Sequence, residues 1–220
     1  MFFLQKKNIL LILLLIITTN LCSQEFGTWN VIDFRKSTNK NISFQLEAQV
    51  RSLQFYKNFH YNEINFTTNY KFDNNLILSI LFGKHNTYSE GGNFKSPILT
   101  DEYRFSIQAA TSQKFGISTL DNRYRIEQRY FADNIKYRMR YRFGLKTKIT
   151  KINQIQFSNE IFLSLDNDNS IFEKNRFLIG FTNTFNKTYE IQINYLNQID
   201  KRFNDESGRN FLQLVNIINF

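Results

Sequence analysis

The sequence predicts an all-β protein, an antiparallel up-and-down transmembrane β-barrel of about ten to twelve strands. Stretches of about ten residues alternate apolar and polar side chains with a period of two, the period of a strand with unlike faces. Clusters of Asn, Asp, Lys, Ser and Gly separate these stretches, as turns do. The 220 residues include 24 Phe and 11 Tyr, and aromatic faces of this kind are typical of membrane-facing walls.

The first 23 residues are set aside before the barrel is considered. Two lysines precede an unbroken apolar run at residues 9–17, and small or polar residues follow. This order is typical of a cleavable secretory signal, and the run is too short to span a bilayer. We predict a signal peptide at 1–23 and an outer-membrane β-barrel domain at 24–220, with a permanent anchor helix as the alternative.

Cys22 lies inside the predicted signal peptide. Leu21 precedes it, where lipoprotein processing requires a small residue, so a lipoprotein is the lesser alternative. Residues 24–220 contain no cysteine, which excludes disulfides and thiol chemistry there. Removing the two lysines of the signal peptide from the +9 of the full chain leaves +7. A basic chain raises the question of nucleic-acid binding, and the placement of the charges argues against it.

Residues 42–51 and 135–148 show the alternation most clearly. Extending it along the chain predicts eleven strands, near residues 28–36, 42–52, 62–72, 76–86, 102–113, 118–130, 135–148, 154–165, 175–185, 189–198 and 209–220. Short turns alternate mostly with longer loops at 53–61, 87–101, 166–174 and 199–208, as in barrels with periplasmic turns and extracellular loops. Single-chain bacterial barrels normally have an even number of strands. Either one strand is missed, or residues 24–36 thread the lumen before pairing.

A secreted β-sandwich or lipocalin-like barrel also alternates, and it is the main competing fold. The predicted strands of about ten to fourteen residues exceed the five or six typical of soluble domains and suit tilted membrane strands. The last strand is amphipathic and ends in Phe220, which resembles the signal read by the barrel-assembly machinery. We therefore expect a multi-pass barrel in the cell outer membrane. Its expected partners are that machinery, outer-membrane lipid and lipopolysaccharide, and no nucleic acid.

The alternation of side chains between the two faces of a strand places the charged residues inside the barrel. Shifting residues 135–148 by one position would turn five Lys and Arg side chains toward lipid. At about 2–4 kcal/mol each near the midplane and less near the interfaces, the total penalty approaches ten kcal/mol. The basic residues therefore line an interior instead of forming an open patch.

Antiparallel register predicts which charges meet across neighbouring strands. Glu127 is expected opposite Arg138, and a four-residue turn at 114–117 would also set it opposite Arg104. The same register gathers a lumen charge network from four strands: Glu102, Arg104, Arg123, Arg125, Glu127, Arg129, Arg138, Arg140, Arg142 and Glu160.

The network admits two interpretations. An arginine-rich constriction would favour anions, whereas a salt-bridged plug would simply fill a narrow barrel. Burying many charges is tolerable only when they are paired; the register pairs several, so we favour the occluded interior.

Catalysis has little support in the sequence. Only His60 and His85 occur, and His85 is expected near the outer rim as a solvated residue, with Ser79 inward on the same strand. No serine is placed beside a histidine as lipid-acting hydrolases require. Metal-ligand spacing is absent, and Asp166, Asp168 and Glu173 fit a solvated loop better than a calcium loop. We expect no catalytic, metal or cofactor site.

Residues 117–148 carry a family resemblance. Asp121–Phe131 (DNRYRIEQRYF) precedes Tyr137–Phe143 (YRMRYRF), and Asn159–Phe162, Asn175–Arg176, Tyr195–Gln198 and a terminal Phe follow. The chain resembles domain of unknown function 2490, a family of outer-membrane barrels of Bacteroidota-type bacteria, over about residues 26–220. The resemblance implies fold and location and supplies no activity. A structural or small-solute barrel is the first hypothesis. A rim-acting enzyme on lipid or lipopolysaccharide, and a loop-mediated adhesion or assembly partner, are the alternatives.

Overall fold

The computed structural model describes residues 26–73, 75–91, 93–95, 97–166, 171–201 and 208–220. The predicted signal peptide at 1–23 lies outside the described residues. Among those that are described, no helix is long and apolar enough to cross a membrane. The described residues form eleven strands: β1 Phe26–Ser37, β2 Ile42–Gln54, β3 Lys57–Lys71, β4 Leu76–Tyr88, β5 Ile98–Phe115, β6 Ser118–Tyr130, β7 Ile135–Lys148, β8 Asn153–Ser164, β9 Phe172–Thr184, β10 Tyr189–Asp200 and β11 Arg209–Asn219.

The eleven strands close into one barrel, which confirms the predicted fold and strand number. Each strand pairs antiparallel with its neighbours in sequence, and β1 closes the wall by pairing with β11 in parallel, from Phe26 opposite Asn210 to Arg35 opposite Asn219. This one parallel pair was not predicted. It follows from the odd number of strands. Strand direction alternates along the chain, so β1 and β11 run in the same direction when there are eleven strands. The described part of 24–36 therefore belongs to the wall and does not thread the lumen.

The two rims of the barrel differ. One rim carries only short connections, at residues 38–41, 72–75, 116–117, 149–152 and 185–188. The opposite rim carries the connections at 55–56, 89–97, 131–134, 165–171 and 201–208, of which three are longer. The first residue of β1 lies at the long-loop rim and the last residue of β11 at the short-turn rim, so the two ends of the wall lie at opposite rims.

The apolar and polar side chains lie on the two faces of the strands as the alternation predicts. Large apolar side chains point outward, and Ile64, Phe82 and Ile126 are each more than half exposed. Exposed aromatic rings mark the short-turn rim, among them Phe72 and Phe185. Exposed apolar surface of this extent is unfavourable in water. An apolar outer band bounded by aromatic residues is what a bilayer-spanning barrel presents to lipid.

The lumen has an apolar side and a charged side. Trp29 and Val31 of β1 pack with Leu196 of β10 and Phe211 of β11 in a buried apolar cluster. The Trp29 and Phe211 rings meet edge to face, with centroids 5.9 Å apart, an arrangement that aromatic quadrupoles favour. This cluster fills the lumen beside the seam between β1 and β11. The predicted Arg and Glu network on β5 to β8 lies on the opposite wall, and further charged side chains, among them Asp33 and Arg51, lie closer to the seam.

The predicted long loop at 53–61 is wrong. β2 and β3 are joined by a two-residue turn at Phe55 and Tyr56, and both strands continue beyond their predicted ends. Tyr56 and Asn58 adopt positive φ angles of 52° and 55°, conformations that are rare for residues other than Gly and that sequence alternation does not report. The 87–101 loop is also shorter than predicted, since β4 extends to Tyr88 and β5 begins at Ile98.

Candidate functional site in the barrel lumen

Strands β6, β7 and β8 place the predicted charges in the predicted register. Glu127 lies opposite Arg138, and Arg123 lies opposite Arg142. Arg142 in turn lies opposite Glu160 of β8. Because side chains directly opposite on one face are neighbours, three strands present a continuous charged wall to the lumen.

The predicted register between β5 and β6 is wrong by two residues. Arg104 lies opposite Arg129 instead of Glu127, and Ser106 occupies the position opposite Glu127. The cause is the turn, which holds two residues instead of four and begins at Gly116 with φ +58°. Glycine at the first central position, with positive φ, is what a tight two-residue hairpin turn requires.

Glu127 is the centre of the network and is fully buried. Arg138 donates to its Oε2 through Nε at 2.7 Å and again through Nη2. Arg140 donates to its Oε1 at 2.7 Å. Arg104 and Arg125 approach within 3.9 and 3.6 Å. Four guanidinium groups thus surround one carboxylate, so Arg104 still reaches Glu127 although it is not directly opposite.

Two further carboxylates organise the rest of the predicted set. Glu102 accepts from Arg129 at 2.7 and 2.9 Å and from Arg104 at 2.8 Å. Glu160 pairs with two other arginines of the network (Arg123 at 2.5 Å and Arg140 at 2.9 Å). Of the ten predicted network residues, Arg142 alone has no ion pair within 4.0 Å among the described residues. The other nine are joined through three carboxylates.

Glu173 belongs to this network, although the sequence placed it in a solvated loop. It lies in β9, accepts from Arg138 at 3.0 Å and lies 3.6 Å from Arg129. The register between β8 and β9 shifts at Glu173, since Phe162 faces Lys174 and Leu163 faces Phe172. Such a bulge puts two consecutive residues, Glu173 and Lys174, on the buried side. Strict alternation cannot predict this.

A second polar cluster lies on β2, β3 and β4. Glu63 accepts from Arg51 at 3.1 Å and from the Tyr61 hydroxyl, and its Oε2 lies 3.1 Å from Nδ1 of His85. The same Nδ1 lies 2.7 Å from the Tyr61 hydroxyl. His85 is therefore a buried, bonded residue, and the expectation of a solvated rim histidine is wrong. Ser79 lies inward on the same strand, as predicted, but six residues away along it.

Arginines and aromatic rings alternate around part of the lumen. The Arg51 guanidinium lies 3.5 Å from the centroid of Trp29, and Arg176 lies 4.9 Å from the same ring. Phe162 lies 4.7 Å from Arg176 and 4.4 Å from Arg140. Cations held over ring faces are stabilised by the ring quadrupole. Stacking adds to the carboxylate contacts of Arg51 and Arg140, and it orients Arg176 where no carboxylate of the described residues pairs with it.

The lumen encloses a cavity of about 760 Å³, to which all eleven strands contribute. The described residues that line it include twelve Arg and Lys side chains and six Asp and Glu side chains. Glu127 is absent from the lining because it lies behind the cavity surface under its arginines. The surface facing the cavity is therefore basic, which favours negatively charged solutes.

Phe220 lies at the short-turn rim. Its amide donates to the carbonyl of Arg35 at 2.9 Å, and its exposed ring stacks on Phe34 with centroids 6.2 Å apart. Among the described residues, no group of three or more His, Cys, Asp and Glu is placed to hold a metal ion. The site is thus a lumen wall of charges and rings.

Comparison with known proteins then identifies the family. Residues 26–209 match the family described as "Protein of unknown function (DUF2490)". The chain belongs to this family. No curated protein matches it.

Two solved porin structures resemble the barrel. The structure titled "NanC porin structure in rhombohedral crystal form" has a TM-score of 0.50 and 9% identity, over 78% of this chain and 84% of that one. "Anion-selective porin from Comamonas acidovorans" has a TM-score of 0.41 and 11% identity, over 84% of this chain and 54% of that one. At such identity the first likeness shows fold alone. This DUF2490 member is therefore a closed β-barrel whose fold resembles that of a porin.

Proposed function

We propose that this barrel is an outer-membrane channel for small anionic solutes and acts without catalysis. The observation that carries the proposal is the cavity of about 760 Å³, whose described lining has twice as many basic as acidic side chains. A pore lined by guanidinium groups lowers the free energy of an entering anion and raises that of a cation. The cavity supports this function over the largely occluded, salt-bridged interior that the sequence favoured.

The Arg and Glu network serves as the rigid part of the channel wall. Glu102, Glu127 and Glu160 each hold at least two arginines at hydrogen-bond distance, so these guanidinium groups are fixed in direction as well as in charge. Fixed groups lose little conformational entropy when a solute binds. The carboxylates behind them offset enough repulsion to keep many arginines on one wall.

The non-catalytic part of the proposal is supported by the surroundings of His85. Ser79, the inward serine of the same strand, lies six residues away from it, about 20 Å along an extended strand, which is too far for the hydrogen bond between a nucleophile and its base. Mass spectrometry of outer-membrane lipids from a deletion strain should therefore show the wild-type set. A missing acyl, sugar or phosphate modification would show an enzyme instead.

Electrical recording separates a channel from a plug. Purified full-length barrel, shown to be folded by its heat-modifiable mobility on gels, is added to a planar bilayer in KCl. We expect discrete current steps, because a cavity of about 760 Å³ lined by charged and polar side chains lies in the lumen. Bilayers that stay silent while they contain folded protein would show that the network occludes the barrel, and the channel function would be wrong.

The location and assembly route belong to the same proposal. The signal peptide at 1–23 is removed, and the 24–220 domain is inserted among outer-membrane lipid and lipopolysaccharide by the barrel-assembly machinery. The apolar outer face and the exposed ring of Phe220 at the end of the wall support this route. Mature protein should fractionate with the outer membrane, and recovery as a soluble periplasmic species would contradict it.

Deleting Phe220 should reduce the assembled, heat-modifiable fraction severalfold and leave secretion intact. The deletion removes the terminal aromatic group while the charged lumen is untouched, so only insertion is affected. Phe185→Ala is the matched control, since Phe185 is also a largely exposed ring at the same rim but is not terminal. Equal amounts of folded barrel from the deletion and the wild type would remove the assembly role of this residue.

A further inference from the structure

We infer that Arg142 and Arg176 form a binding site for an oxyanion, a carboxylate or phosphate group carried by a small solute. The inference deepens the proposed channel function and rests on it, because the solute must enter the lumen. Both arginines line the cavity. The sequence placed Arg142 in the lumen charge network and did not place Arg176 there.

Strand register sets the two arginines on either side of one carboxylate. Arg142 of β7 lies opposite Glu160 of β8, and Glu160 lies opposite Arg176 of β9. With strands about 4.8 Å apart, the Cα atoms of the two arginines are roughly 10 Å apart on one face of the wall. Arginine side chains are long enough for both to reach a single group between them.

Glu160 does not neutralise these two neighbours. Its Oε1 accepts instead from Arg123 at 2.5 Å and from Arg140 at 3.0 Å. As a result, neither Arg142 nor Arg176 has an ion pair within 4.0 Å anywhere in the described part of the chain. One carboxylate thus lies among four guanidinium groups, and this part of the wall carries a net positive charge.

Arg176 is oriented by neutral groups. Its Nε donates to Gln198 at 2.8 Å, and its guanidinium lies 4.9 Å from the Trp29 ring and 4.7 Å from the Phe162 ring. A guanidinium has five N–H donors in a fixed fork, and only Nε is engaged by the described residues. Arg176 is thus held in a fixed direction and faces the cavity with N–H donors to spare. A binding site for a ligand that accepts hydrogen bonds has these properties.

The chemistry of the fork identifies the class of ligand. Guanidinium groups pair in a bidentate manner with the planar oxygens of a carboxylate and the paired oxygens of a phosphate. Trp29 and Phe162 are buried beside Arg176, so they hold its guanidinium group in direction. Halide ions have no paired oxygens, so they would use the site less well.

The site is tested with inorganic phosphate and acetate as probes of the full-length folded barrel in detergent. Binding to the native state raises its thermal stability with probe concentration, and that dependence yields a Kd. We expect Arg142→Gln with Arg176→Gln to weaken affinity for the better probe at least about tenfold. The better probe shows whether a phosphate or a carboxylate is preferred.

Arg35→Gln is the matched control. Arg35 also lines the cavity and carries the same charge, but it is already paired with Asp33 at 2.6 Å. Affinity should be nearly unchanged in this variant, whereas an equal loss would show general electrostatics and overturn the site. If the double glutamine variant does not fold, Arg142→Lys and Arg176→Lys keep the charge and lose the fork. Each should then weaken binding, and unchanged affinity in both would refute the site.

The outcomes separate the site from the channel. If the probes bind through both arginines but the barrel never conducts, the binding site stands and the channel function is refuted. If the barrel conducts and prefers anions but neither substitution changes the probe affinity, the channel function stands and the binding site is refuted.

Discussion

Replacing Glu127 with alanine is expected to lower the free energy of unfolding by about 3–5 kcal/mol. Glu127 is fully buried and accepts hydrogen bonds from Arg138 and Arg140, with two further arginines within 4.0 Å. Its removal leaves these cations desolvated and close together without their shared partner. Since Glu127 does not line the cavity, lumen water cannot take its place without rearrangement of the wall.

Urea unfolding of the purified barrel measures this loss. Asp101→Asn is the matched control, since its ion pair with Lys84 at 3.5 Å is exposed, and exposed pairs contribute about 0–1 kcal/mol. Replacing Glu127 and Arg138 together by neutral residues should recover part of the loss, because one uncompensated cation is then gone. If Glu127→Ala costs no more than Asp101→Asn, the central place of Glu127 in the network is wrong.

Gly180→Ala is expected to destabilise the barrel by about 1–3 kcal/mol through overpacking. An ideal Cβ at Gly180 would lie 1.7 Å from Oδ1 of Asn194 on the adjacent strand. Asn194 is buried, accepts from Gln156 at 2.7 Å and donates to Gln213 at 2.9 Å. The new methyl group must displace this amide and break its bonds, and unpaired buried amides add to the cost.

Gly144→Ala is the control for that experiment. Gly144 is also a strand glycine, but a Cβ there would meet its nearest atoms at 3.7 Å, an ordinary van der Waals contact. Protease sensitivity and the urea midpoint should therefore change in Gly180→Ala and stay near wild type in Gly144→Ala. Equal behaviour of the two variants would show that Asn194 can move away from Gly180 at little cost.

The period-two alternation of apolar and polar residues predicted most of the fold. Period two fixes which side chains face lipid and which face the lumen, and the penalty for exposing Lys or Arg to lipid makes the choice unambiguous. The register from β6 to β8 also followed, because the short connections between these strands leave little freedom. Glu127 opposite Arg138 and Arg142 opposite Glu160 are examples.

What alternation missed lies where a turn or bulge breaks the period. The tight turn at Gly116 moved β5 by two residues against β6, which preserves the faces and changes the partners. The bulge in β9 turned Glu173 inward, and strict alternation between the two faces cannot predict such a change. Glu63 and His85 lie directly opposite each other on the adjacent strands β3 and β4, so the register across the short turn between these strands contains this pair. Arg176 differs, because its contact with Trp29 joins β9 to β1, and single-strand patterns do not contain that information.

The sign of the reversal potential is the most direct test of the basic lumen. A planar bilayer containing the wild-type barrel should separate 0.1 M from 0.01 M KCl, because low salt leaves the lumen charges weakly screened. We expect a reversal potential with the sign of chloride preference. Arg142→Gln with Arg176→Gln should move it toward zero, since both side chains line the cavity without an ion pair to the described residues. A wild-type potential at zero or with the sign of potassium preference would contradict an anion-preferring lumen.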